Sequence, residues 1–80
     1  MSPQELYEIL HRQPFLPFRI HLADGRSFDV PHPEFVLVTA RTAVVGVYPT
    51  THRNGRAYPD YAETIALSHI MSMEPLEQKS

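Results

Sequence analysis

The stretch FRIHLADGRSFDV, residues 18–30, constrains this chain more than any other feature, because only one hairpin register lets it keep an apolar face. Phe18, Ile20 and Leu22 alternate with Arg19 and His21, and Phe28 and Val30 alternate with Ser27 and Asp29, the period of a half-buried strand. Asp24-Gly25 invites a two-residue turn. That turn would set Ile20 against Asp29 and His21 against Phe28, mixing core and solvent residues on each side of the ribbon. A three-residue loop of Ala23, Asp24 and Gly25, with Gly25 left-handed in a bulge, instead pairs Ile20 with Phe28, Phe18 with Val30 and Arg19 with Asp29. The longer loop is therefore the predicted one.

Upstream, MSPQELYEILHRQ carries helix-start signals. Ser2 caps, Pro3 suits the first helical position, and Glu5 completes a capping box. Leu6, Ile9 and Leu10 share one face, and Pro14 ends the helix near Arg12. A helix this short is not stable alone and must dock. PFLPF, residues 14–18, is an extended connector, and PHPE, residues 31–34, interrupts the sheet.

FVLVT (35–39) and TAVVGVY (42–48) read as strands joined by a tight Ala40-Arg41 turn. Phe35 to Val38 are apolar on both faces, as are Val44 and Val45, the pattern of strands covered on both sides. Residues 49–62, PTTHRNGRAYPDYA, form the one long loop. TIALSHIMSMEPL (64–76) returns to strand with a break expected at Ser68-His69, and EQKS (77–80) is a polar tail. The expectation is a single α+β domain over 1–76. Its short N-terminal helix packs on a bent antiparallel sheet of about five strands that closes partly into a small barrel.

This order of elements resembles the Sm-like and related SH3-like small barrels. The resemblance implies a barrel fold and, for the Sm-like proteins, RNA-binding rings joined through edge strands. The RNA-binding residues do not carry over: the segment matching the first binding loop, HPEFVLVT, has no Asn, and the segment matching the second, IALSHI, has neither Arg nor Gly. Separately, PFRIHLADGRSFDVPHPEFV is similar to short uncharacterised bacterial proteins sharing a PF-R-I-x-L-x-DGR-x-F-x-V-x-HPEF layout, which implies no activity.

Eighty residues without a cysteine build one small core with no disulfide or thiolate metal site to reinforce it. No apolar run reaches the ~20 residues of a membrane span, and MSPQELYE lacks the regions of a signal peptide, so a soluble, cytoplasmic protein is expected. A net charge of −2 gives no sequence-wide footprint for nucleic acid.

The five histidines, His11, His21, His32, His52 and His69, show no metal-ligand spacing, and His69 is the one expected to be partly buried. Ser68-His69 make a nucleophile and base pair only if the chain turns there. Asp60 and Glu63 read as solvated loop charges with nothing apolar beside them to raise a pKa. No catalytic residue, cofactor, metal or small-molecule substrate is inferred. Arg53, Arg56, Tyr58 and Tyr61 interleave cations with aromatics, a composition shared by protein interfaces and single-strand binding loops.

The sequence reading is thus a non-enzymatic interaction or structural module that self-associates or joins a larger protein assembly. Its candidate interface is Val36, Val38, Val44, Val45, Arg53, Arg56, Tyr58 and Tyr61. The alternative is a nucleic-acid-binding barrel using the 49–62 loop. The argument for association is that these strands carry more apolar surface than one short helix covers.

Overall fold

A computed structural model of the chain describes residues 1–47 and 59–76. Helix α1 spans Pro3–Leu10, and the strands are β1 (Phe18–Leu22), β2 (Ser27–Val30), β3 (Val36–Val38), β4 (Thr42–Val47), β5 (Tyr61–Ala66) and β6 (Ile70–Pro75). Single 3-10 turns at Pro33–Phe35 and Leu67–His69 precede β3 and β6. The chain is α+β, but its strands form two three-stranded antiparallel sheets, ordered β2-β1-β6 and β3-β4-β5, rather than one sheet of five. No ladder joins the two sheets among the described residues.

The start of α1 follows its local chemistry. Glu5 N–H donates to Ser2 Oγ at 3.1 Å, and Ser2 N–H donates back to Glu5 Oε1 at 2.9 Å. Two otherwise unpartnered donors are thereby satisfied at once. Hydrogen bonding from Ser2, its backbone N–H first, also holds the Glu5 carboxyl below its ordinary value. Leu6 and Leu10 are buried, which is the docking that so short a helix needs.

The β1–β2 hairpin has the register that parity demands: Phe18↔Val30, Arg19↔Asp29, Ile20↔Phe28 and His21↔Ser27. Leu22 N–H donates to the Arg26 carbonyl at 2.9 Å, closing the three-residue loop, and Gly25 takes φ +94°. The β3–β4 hairpin closes differently. Among the described residues no non-glycine residue has positive φ, so Ala40-Arg41 do not make a primed turn. Thr39 Oγ1 takes over, accepting from the N–H groups of Thr42 and Arg41 at 2.9 and 3.3 Å.

Ile20, Leu22 and Val30 from one sheet meet Ala43, Val45 and Ile65 from the other, with Leu6, Leu10, Phe18 and Leu67 completing the core. No polar or charged residue is buried among the described ones. The break expected at Ser68-His69 is the 3-10 turn Leu67–His69, and β6 then returns along the free side of β1.

One boundary and one burial differ from expectation. Strand β5 begins at Tyr61, inside the stretch read as loop, because a tertiary contact starts the ladder early: Pro59 packs on Gly46, and Asp60 N–H donates to the Val47 carbonyl at 3.0 Å. His69 is exposed rather than partly buried, and it is its backbone carbonyl that serves the fold, accepting Ala23 N–H at 2.9 Å.

Candidate interaction surface

The two sheets turn chemically opposite outer faces to solvent. On the β2-β1-β6 sheet this face is charged and self-satisfied. Arg19 makes a two-pronged contact with Asp29, Nε to Oδ1 at 2.6 Å and Nη2 to Oδ2 at 3.3 Å. His21 Nε2 lies 2.5 Å from Glu74 Oε1 on the neighbouring strand. The hydrogen bond and charge of Asp29 raise the Arg19 pKa, with Glu74 adding a smaller push. Both pairs are exposed, so they help set register more than they stabilise.

The outer face of the β3-β4-β5 sheet carries no charge. Alternation places Leu37 on β3, Thr42, Val44 and Gly46 on β4, and Ala62, Thr64 and Ala66 on β5 on that side, because Ala43, Val45 and Ile65 point into the core. Leu37 and Val44 are directly paired. Leu37 is 64% exposed, whereas Val44 is half-buried. At the far end, Pro59 sits over Gly46 and closes that part of the face.

Against this geometry the four candidate valines separate. Val45 is fully buried, and Val36 and Val38 are half-buried with their side chains packed on the core. Val44 alone faces outward. The exposed large hydrophobic of this face, Leu37, was missed in the sequence, where FVLV reads as apolar on both sides. Alternation leaves Leu37 outside once Val36 and Val38 are assigned inward, and only their pairing with Val45 and Ala43 makes that assignment. Tyr61 is 56% exposed at the start of β5, opposite Val47. Arg53, Arg56 and Tyr58 lie outside the described residues.

The chemistry-bearing side chains do not converge. Among the described residues no three His, Asp or Glu side chains are grouped as a metal site would need. His11 stacks on Tyr7, ring centroids 4.0 Å apart, and its Nδ1 lies 2.9 Å from the Tyr7 carbonyl oxygen. His32 meets Phe35 edge-on. The chain does turn at Ser68-His69, but both residues are exposed and no hydrogen bond joins their side chains. Glu63 lies 3.9 Å from the Arg26 guanidinium, and a closer pair joins Arg26 to Asp24 at 3.0 Å. Backbone and side-chain bonds from Arg26 hold the Asp24 carboxyl below its usual range.

Among the described residues no helix is long and apolar enough to cross a membrane. No protein-family model, curated protein or solved structure matches this chain.

Proposed function

We propose that this protein is a non-enzymatic assembly module that associates with further copies of itself or with a protein partner through the outer face of the β3-β4-β5 sheet. The observation that carries the reading is the exposed Leu37 paired with Val44 on a face without charge, beside a second sheet whose outer face carries the Arg19–Asp29 and His21–Glu74 pairs. Burying a leucine side chain is worth about 1.5–3 kcal/mol, so covering one that is 64% exposed contributes roughly 1–2 kcal/mol per copy. The patch is small beside the ~800 Å² per partner of a stable interface, which makes the association weak and concentration-dependent.

The same reading takes the architecture to be a small Sm-like or SH3-like barrel. Its support is the return of β6 to β1 after a single 3-10 turn, which brings the end of the described chain back beside its first strand. The nucleic-acid alternative rests on the 49–62 loop and finds support only in the exposed Tyr61.

Light scattering behind size exclusion tests the proposal. Mass should rise above the 9.2 kDa of one chain as concentration increases through the micromolar range, and Leu37→Lys should hold it at one chain. A wild-type protein that stays monomeric throughout refutes self-association and leaves only a different protein as the partner of this face.

A further inference from the structure

The edge of β3 presents a second recognition surface, which borders the flat face at Leu37. Thr39 N–H donates to the Thr42 carbonyl at 2.8 Å, and the ladder continues through Val38↔Ala43, Leu37↔Val44 and Val36↔Val45. In an antiparallel ladder hydrogen-bonded pairs alternate with non-bonded ones. Leu37 therefore exchanges its backbone bonds with β4, while Val36 and Val38 turn theirs the other way. Val36 N–H is taken by the Pro33 carbonyl. The Val36 carbonyl and both backbone groups of Val38 have no partner among the described residues.

A cavity of about 420 Å³ is lined by the residues that carry these groups, Val36 and Val38. Its lining includes Leu10, Val36 and Val38 from the core side of the strand and Leu37 from the outer side, so it is centred on the strand edge rather than on either face. Tyr7 of α1 and His11, which caps its C-terminus, also line it, and Tyr7 is 52% exposed. A strand edge with unpaired backbone groups beside a groove lined by Tyr7, Leu10, Leu37, Gln13 and Glu34 offers the hydrogen-bonding pattern that an added strand completes.

We infer that the groove between α1 and β3 binds an extended peptide segment as an added strand. The peptide's backbone donates to the Val36 and Val38 carbonyls and accepts from Val38 N–H. Its alternate side chains lie against Leu10 on one side and Leu37 on the other. Backbone bonding supplies the affinity, and the short edge limits the contact to about three residues at ~3.3 Å each.

Random decapeptides displayed on phage and selected against the immobilised full chain supply the probe. The strongest is then titrated as a synthetic peptide into the isotope-labelled protein. The largest amide shifts should fall at Val36–Val38 and Tyr7–His11, with exchange of the Val38 amide slowed. N-methylating the peptide amide that donates to Val36 should weaken binding roughly tenfold, the loss of one buried backbone bond and its geometry. Tyr7→Glu should weaken binding comparably while leaving the light-scattering mass unchanged, which separates this site from self-association. Failure to enrich any peptide, shifts elsewhere on the molecule, or indifference to N-methylation overturns the inference.

Discussion

Replacing Gly46 by alanine is the sharpest test of how the ends of β4 and β5 are held. An alanine Cβ would stand 2.6 Å from Pro59 Cγ, 3.1 Å from Pro59 Cβ and 3.6 Å from the Phe35 carbonyl oxygen. The nearest contact is shorter than real Cβ atoms tolerate, and a proline ring, tied to its own backbone nitrogen, cannot rotate out of the way. Overpacking of this kind costs about 1–3 kcal/mol. An opposing effect is present: Gly46 is not left-handed, so alanine restricts the unfolded chain and returns about 0.4–1 kcal/mol. The net expectation is destabilisation by roughly 1–2 kcal/mol, and a domain of this size loses about 4–8 °C of Tm per kcal/mol. Thermal and urea unfolding followed by circular dichroism measure it. Removing the obstacle with Pro59→Ala in the same chain should recover part of the loss, a coupling of at least ~0.5 kcal/mol in a double-mutant cycle. A Gly46→Ala protein as stable as the wild type would show that Pro59 does not seat on β4, and the early start of β5 would lose its explanation.

Two other expectations concern the helix and the loop. Ser2→Ala removes the cap that accepts from Glu5 N–H and should lower stability by about 0.5–2 kcal/mol by the same unfolding assays. Glu5 gives the cap its pH dependence: with the folded-state pKa depressed, its contribution is complete above the unfolded value and is lost as pH falls through the folded one. A wild-type acid limb steeper than that of Glu5→Gln checks the sign. For the loop, fluorescence anisotropy with a labelled single-stranded oligonucleotide at low salt should show no binding. Binding that weakens steeply with salt would instead favour the nucleic-acid reading of Arg53, Arg56, Tyr58 and Tyr61.

What was legible in the sequence is what local rules decide. The β1–β2 register followed from parity alone, because one loop length keeps Ile20 and Phe28 on the same side. The start of α1 followed from Ser2, Pro3 and Glu5, which bond to each other or fix φ. The division into two sheets was not legible, since it depends on where β6 comes to rest, some fifty residues from the strand it pairs with. Nor was the inner face of β3. A run of four apolar residues satisfies either assignment, and only its pairing with Ala43 and Val45 decides. The early start of β5 rests on one contact between Pro59 and Gly46, which no periodicity encodes.

The same distinction separates what folds this protein from what it presents. Ile20, Leu22, Val30, Ala43, Val45 and Ile65 are apolar because the shared core requires it, and truncating any large one leaves a cavity. Leu37 faces no such requirement: 64% exposed and bonded to β4 only through its backbone, it could be any residue that favours an extended conformation. Leu37→Thr should accordingly leave unfolding free energy within about 0.5 kcal/mol of wild type. If the outer face is an association surface, the same substitution should lower the concentration-dependent mass. Loss of association at constant stability places Leu37 in the interface and outside the folding core. Destabilisation beyond ~1 kcal/mol would instead make it a structural residue whose exposure has no further meaning.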